Sequence, residues 1–84
     1  MVVEKLVPDV YGQHAFIDEV VRPFLHTPGN LIVSEYAESV DWWFSLNRSD
    51  GTRVRRVLSR MNWLLPRDEL AGLIRDGVNR MLNA

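Results

Sequence analysis

The stretch that most constrains the fold is residues 31–47, where apolar and polar side chains alternate up to the tetrapeptide Arg48-Ser49-Asp50-Gly51. Alternation with a period of two is typical of a strand with one buried face, and the β-branched and aromatic residues here also favour a strand. A type I turn followed by a glycine in a bulge, as this tetrapeptide can form, commonly connects antiparallel strands. The sequence therefore predicts an antiparallel hairpin.

A helix is the alternative for the same stretch. Read with a helical period, Tyr36, Val40 and Trp43 line up nearly as well as the strand pattern does. Residues 52–65 also carry a regular apolar stripe that a helix capped by Asp50 would bury. Strands here give an α+β domain, whereas helices give an all-α bundle of four short helices.

The strand interpretation divides three consecutive aromatic residues between two faces. It assigns the even-numbered positions, from Ile32 through Trp42 and Phe44 to Leu46, to the buried face. Trp43 must then lie on the opposite face, because neighbouring strand residues point to opposite sides of a sheet. Trp43 is thus either the centre of an exposed surface or, if a helix covers that face, part of a second core.

The N-terminal region predicts a short extended segment followed by a helix. The extended segment covers residues 2–7, and Asp9 is a reasonable N-cap for an amphipathic helix near residues 9–22. Pro23 ends that helix, because the residue before a proline avoids helical geometry. His14 belongs to the apolar stripe of the helix and is expected to be partly buried.

The C-terminal region predicts a longer amphipathic helix near residues 67–82. Pro66 precedes it at a position where helices tolerate proline, and acidic residues follow in the first turn, where they complement the helix dipole. Gly72 and Gly77 each cost about 1 kcal/mol relative to alanine in a helix interior. We therefore expect both glycines to pack closely against another element.

These elements predict a small α+β fold in which residues 1–84 form a single domain. It contains an N-terminal helix, an antiparallel β-hairpin or short sheet built from parts of residues 30–60, and a C-terminal amphipathic helix. A chain of this length buries roughly 60–65% of its unfolded surface, enough for one modest core. No internal repeat or linker divides the sequence.

Catalytic and metal chemistry find little support in the sequence. Cysteine is absent, and the only two imidazoles, His14 and His26, are separated by the break at Pro23. No serine lies in a nucleophile elbow, and the glycines are too scattered to form a phosphate-binding loop. We expect a protein that is not an enzyme and that uses no cofactor and no metal.

The apolar stretches are short. The N-terminal residues lack the apolar run of a signal peptide, and no stretch approaches the ~20 apolar residues that cross a bilayer. We therefore expect a cytoplasmic protein without a membrane partner.

Charge is separated along the chain. Residues 48–67 contain six arginines and one acidic residue, for a net charge of +5, whereas residues 1–47 carry −5 and the whole chain −1. Such asymmetry can mark a binding surface. The simpler explanation is that the two regions neutralise each other in the fold, where each cross-strand pair of opposite charges contributes only ~0.2–1 kcal/mol.

The arginines and Trp43 together predict an interaction surface. On the hairpin, Arg53 and Arg55 share the face of Trp43, Arg56 falls on the apolar face, and Arg60 lies further along the same segment. Tryptophan and arginine are over-represented in the hot spots of protein interfaces. We predict a protein-interaction module that uses these five residues to bind a protein partner or a second copy of itself.

Nucleic-acid binding is the alternative function. The arginines of residues 48–67 would neutralise phosphates, and Trp43 would stack on single-stranded bases. Against it stand a pI near 6.1 and the absence of a recognisable nucleic-acid-binding motif.

Overall fold

The computed structural model of the chain describes residues 1–9, 12–35, 41–59 and 64–83. Within these ranges the chain forms four strands and two α-helices. A 3₁₀ turn, Arg22–Phe24, follows the first helix. The elements in chain order are β1 (Val2–Lys5), α1 (Gln13–Val20), β2 (Asn30–Glu35), β3 (Asp41–Asn47), β4 (Arg53–Ser59) and α2 (Arg67–Asn83). This is the predicted α+β arrangement, and the four-helix alternative is wrong.

The four strands form one mixed sheet in the order β1-β2-β3-β4. The pairs β2–β3 and β3–β4 are antiparallel, as predicted for residues 30–60. The predicted extended segment at residues 2–7 contains β1, which pairs in parallel with β2 at the edge of the sheet. Parallel neighbours need a crossover connection, and α1 provides it.

The predicted turn connects β3 to β4. The Gly51 amide donates to the Arg48 carbonyl at 3.0 Å, and the Arg48 amide donates to the Thr52 carbonyl at 2.8 Å. Gly51 has φ +88°, a left-handed conformation that glycine adopts without steric cost. This is the geometry of a tight turn with a glycine bulge, and it holds the two strands in register.

Both helices pack on one face of the sheet and form a single core with it. Each fully buried aliphatic side chain contributes about 1.5–3 kcal/mol to this core. Those that are almost completely buried come from α1 and the residue after it, β2, β3 and α2: Ile17, Val20, Val21, Leu31, Val33, Leu46, Ile74 and Val78.

The prediction for β2 was wrong about which residues face the core. Leu31 and Val33 are fully buried, whereas Ile32 points to the other side of the sheet. The register pairs Ile32 with Ser45, so the two strands place residues of opposite parity in the core. A period of two therefore holds within each strand but does not continue from β2 into β3.

The helix α1 is shorter than predicted. It begins at Gln13, after Gly12 with φ +76°, rather than at Asp9. Asp9 still satisfies a backbone donor in the first turn of α1, because its Oδ1 accepts a hydrogen bond from the His14 amide at 3.2 Å.

The helix α2 agrees with its predicted bounds to within one residue. A Cβ on Gly77 would lie 2.6 Å from Cδ of Arg56, so close packing at this glycine is confirmed. Gly72 is exposed, and a Cβ added to it would have no neighbouring atom within 4 Å. The prediction that Gly72 packs closely against another element was therefore wrong. Among the described residues, neither helix has the length and apolar character to cross a bilayer.

Candidate functional site

The face of the sheet opposite the helices carries three of the five predicted interaction residues, Trp43, Arg53 and Arg55. Among the described residues, every side chain assigned to the common core lies on the helix side of the sheet or in the helices and connections. We call the other side the open face. The described residues that point to it are Val2, Glu4 and Leu6 at the β1 edge, Asn30, Ile32 and Ser34 on β2, Trp43, Ser45 and Asn47 on β3, and Arg53 and Arg55 on β4.

The strand register arranges this face in rows. Glu4 is paired with Ile32, Ile32 with Ser45, and Ser45 with Arg55. One row therefore crosses the whole sheet and places a carboxylate at one edge and a guanidinium at the other. The three strand spacings between them amount to roughly 14 Å, too far for a direct pair within one molecule.

The neighbouring row is apolar at the β1 edge and basic at the β4 edge. Val2 is paired with Asn30, and Asn47 with Arg53. The Arg53 Nε donates to Oδ1 of Asn47 at 2.8 Å. This hydrogen bond orients the Arg53 guanidinium along the open face instead of away from the sheet.

A groove of about 340 Å³ lies in the middle of the open face. The small side chains of Ser34 and Ser45 lie between larger ones from neighbouring positions, which explains the concave shape. The groove is lined by Leu6, Ile32, Ser34, Glu35, Trp43, Ser45, Arg53 and Arg55.

Trp43 and Arg55 form the wall of this groove nearest β4. The Arg55 guanidinium carbon lies 5.6 Å from the centre of the Trp43 ring, within the range of a cation–π interaction. Trp43 is half-buried, whereas Trp42 on the helix side is only 5% exposed. The structure thus brings together three of the five predicted residues, Trp43, Arg53 and Arg55.

Arg56 lies on the other side of the sheet. Its alkyl chain packs against Gly77 of α2, and its Nε is buried without a hydrogen-bond partner among the described residues. It is therefore not part of the open face, because strand alternation directs it towards the helices. Arg60 lies outside the described residues.

The other two described arginines of residues 48–67, Arg48 and Arg67, lie outside the open face. Arg48 belongs to the β3–β4 turn, where its Nε donates to Oγ1 of Thr52 at 2.8 Å. Arg67 begins α2 and lies over the ring of Phe16, 4.7 Å from its centre. The described arginines of residues 48–67 are consequently dispersed in space.

The turn contains a carboxyl group, that of Asp50, whose pKa lies below its usual value. Hydrogen bonds from the Thr52 hydroxyl at 2.6 Å and the Thr52 amide at 2.9 Å lower the pKa of Asp50, and the charge of Arg48 lowers it further. These bonds hold the turn that positions β4 beside β3.

One of the two histidines lies on a helix and the other in a loop. The Nε2 of His14 lies 2.6 Å from the Val7 carbonyl, to which it donates, and the ring is partly buried as predicted. His26 is exposed in the connection between α1 and β2. Within the described ranges, no three histidine or acidic side chains converge in a way that would hold a metal ion.

The contribution of β1 to the open face was not predicted. Val2, Glu4 and Leu6 alternate with Val3, Lys5 and Val7, and this period of two is a visible strand signal. The sequence does not show which strand β1 pairs with, and hence it does not show that Glu4 shares a row with Arg55.

No known protein family, curated protein or solved structure matches this chain. The open face itself is therefore the basis for assigning a function.

Proposed function

We propose that this protein is a non-enzymatic interaction module that binds another protein chain through its open face, with Trp43, Arg53 and Arg55 as the central contacts. The observation that supports the proposal is the Trp43–Arg55 pair beside a groove on a sheet face that no described helix covers. A half-buried tryptophan next to an arginine is typical of interface hot spots.

The composition of the open face favours a protein over a nucleic acid. Of the arginine-rich segment, only Arg53 and Arg55 are found there among the described residues, and Glu4 is on the same face. Two cations at one edge, with a carboxylate at the opposite edge, make a weak track for phosphates, because nucleic-acid affinity grows with the number of phosphates neutralised. Apolar side chains such as Leu6 and Ile32 suit a protein partner better.

Site-specific photo-crosslinking tests the proposal. A photo-reactive amino acid replaces Val2, which is 66% exposed at the rim of the open face, in the protein expressed in its own cells. The same amino acid at Glu19, exposed on α1 in the opposite layer, is the matched control. We expect a protein adduct from position 2, none from position 19, and less adduct from position 2 when Trp43→Ala is added.

The mass of the adduct separates the outcomes. An adduct with protein, either a second copy or another chain, supports the proposal. Equal crosslinking from positions 2 and 19, or no protein adduct from position 2, contradicts it.

Oligonucleotide titrations test the alternative function. Fluorescence anisotropy with labelled single- and double-stranded oligonucleotides at about 50 and 200 mM salt reports phosphate contacts, because such binding weakens steeply with salt. We expect no binding that depends on Arg53 and Arg55. Salt-sensitive binding that Arg53→Ala and Arg55→Ala abolish would replace the protein-binding proposal with nucleic-acid binding.

A further inference from the structure

We infer that the chain on the open face is a second copy of this protein, packed face to face about a two-fold axis parallel to the strands. This inference rests on the proposed protein-binding function and specifies its partner. The evidence for it is the charge pattern of the row Glu4–Ile32–Ser45–Arg55, which is negative at one edge of the sheet and positive at the other.

A two-fold axis parallel to the strands exchanges the two edges of the sheet. It places β4 of one copy opposite β1 of the other and β3 opposite β2. Positions along the strand direction are unchanged, so Arg55 of each copy faces Glu4 of the other. Symmetry makes this contact twice, because both copies use the same surface.

The other simple face-to-face arrangement lacks this charge complementarity. A two-fold axis in the plane of the face but perpendicular to the strands places β4 opposite β4 and β1 opposite β1, so the two basic edges lie together and Glu4 of each copy stays far from Arg55 of the other. Like charges across an interface cost enough to exclude wrong arrangements. The charge pattern therefore selects the axis parallel to the strands.

The centre of the face is suited to burial by the second copy. Val2 and Leu6 are 66% and 60% exposed, and they flank a centre formed by Ile32 and Trp43. Aligned sheets pack about 10 Å apart with a rotation near −30°. The long Arg55 side chain at the rim can span such a gap to Glu4 of the second copy.

This arrangement also joins one acidic residue of the N-terminal region to one arginine of residues 48–67. β1 comes from the acidic part of the sequence and β4 from the basic part. Within one molecule the two edges are three strands apart, and they meet only in the dimer. A domain of this size gains stability from such an added interface, because its own core is small.

Charge reversal measured by sedimentation equilibrium tests the inference. The variants are Glu4→Arg, Arg55→Glu and the double variant, each measured from micromolar to millimolar concentration. Glu4 and Arg55 are both exposed, so neither change disturbs the core. Glu19→Arg makes the same charge change in the helix layer and serves as the matched control.

We expect each single reversal to weaken self-association by about tenfold or more, because it creates two like-charge contacts. The double variant restores association, since the pairs are only inverted. An equimolar mixture of the two single variants forms a mixed dimer, because both of its contacts again join opposite charges. Glu19→Arg associates like the unmodified protein.

Three results would overturn the inference. They are a wild-type protein that stays monomeric throughout, self-association that neither reversal weakens, and a mixture of single variants that associates no better than either alone. The second result points to pairing through another surface, such as the edge of β4. A monomeric protein whose position 2 crosslinks to a different protein leaves the proposed function intact and removes only the self-association.

Discussion

Trp43 and Trp42 are neighbours in the sequence with opposite environments. Strand alternation directs Trp42 into the core, where it is 5% exposed, and leaves Trp43 half-buried beside Arg55 on the open face. Asp50 has a comparable local role in the β3–β4 turn, where Thr52 donates two hydrogen bonds to its carboxylate. In both cases the local structure depends on which neighbours a single side chain contacts.

The adjacent tryptophans make a matched pair of variants. We expect Trp43→Ala to weaken association through the open face by on the order of 2 kcal/mol or more, as hot-spot truncations do. Trp42→Ala should lower the free energy of unfolding by about 3–5 kcal/mol, because it empties a core position. Sedimentation equilibrium and urea denaturation measure the two effects.

Leu25→Ala provides a control, since Leu25 is 48% exposed in the connection after α1 and outside the open face. This substitution should change neither the strength of association nor the free energy of unfolding substantially. If Trp43→Ala destabilises the fold as much as Trp42→Ala and leaves association unchanged, Trp43 is a core residue and the proposed surface is wrong.

The Asp50 carboxyl predicts a pH response of the turn. Its folded-state pKa lies below the usual 3.8, so its contribution to stability is present above that pH and is lost as the pH falls through the folded pKa. Thr52→Ala removes the hydroxyl donor and should raise the pKa of Asp50, whereas Thr52→Ser should retain the low value. Carboxyl chemical shifts followed by NMR during an acid titration measure both. An unchanged pKa in Thr52→Ala would show that the hydroxyl is not the main cause of the shift.

At the scale of the elements, α2 and β4 meet where a glycine faces an arginine. Gly77 leaves space for the alkyl chain of Arg56, which alternation places on the helix side of the sheet. β4 is also an edge strand. Its arginines make that edge charged, and charged residues protect exposed strand edges from pairing with other chains. The arginine-rich segment therefore serves packing and edge protection as well as the open face.

The two glycines of α2 should respond differently to alanine. Gly72→Ala should stabilise the protein by about 0.4–1 kcal/mol, because the site is exposed, helical and free of neighbours. Gly77→Ala should stabilise less or destabilise, since its Cβ would lie 2.6 Å from Cδ of Arg56. Thermal and urea denaturation measure both variants.

A double-mutant cycle isolates the cause of that difference. In an Arg56→Ala background the obstructing side chain is gone, so Gly77→Ala should stabilise to a similar extent as Gly72→Ala. If Gly77→Ala has the same effect with and without Arg56, the contact between β4 and α2 does not restrict this position.

At the scale of the whole molecule, one core lies between the sheet and its two helices, and the opposite face is left open. Lys5 and Asp18 form a salt bridge between β1 and α1, and the Arg75 Nε donates to the Val20 carbonyl between α2 and α1. These contacts join α2 to α1 and α1 to the edge strand β1. Within the described part of the chain no helix packs on the open face, and under the inference above a second copy would cover it.

The stability of the whole protein should consequently depend on its concentration. We expect the midpoint of thermal unfolding to rise with protein concentration, because association stabilises the folded state by mass action. For Arg55→Glu the midpoint should depend less on concentration, and for the double charge reversal the dependence should return. Differential scanning calorimetry over a range of concentrations measures this. A wild-type midpoint that does not move with concentration would contradict the dimer.

Much of this protein follows from patterns that act over a few residues. The Arg48–Gly51 turn, the amphipathic stripe of α2 and the position of Trp43 opposite Trp42 were predictable, because turn chemistry and side-chain periodicity are local. The shared face of Trp43, Arg53 and Arg55 was predictable for the same reason, since it needs only a hairpin in the right register.

The remaining features depend on contacts between distant segments of the chain. The parallel pairing of β1, the burial of Leu31 and Val33 instead of Ile32, and the contact of Arg56 with Gly77 follow from how the strands and helices pack. Strand order also decides that Glu4 and Arg55 occupy opposite ends of one row. Local patterns cannot specify this, because pairing and register are selected by burial of the whole core and not by any single segment.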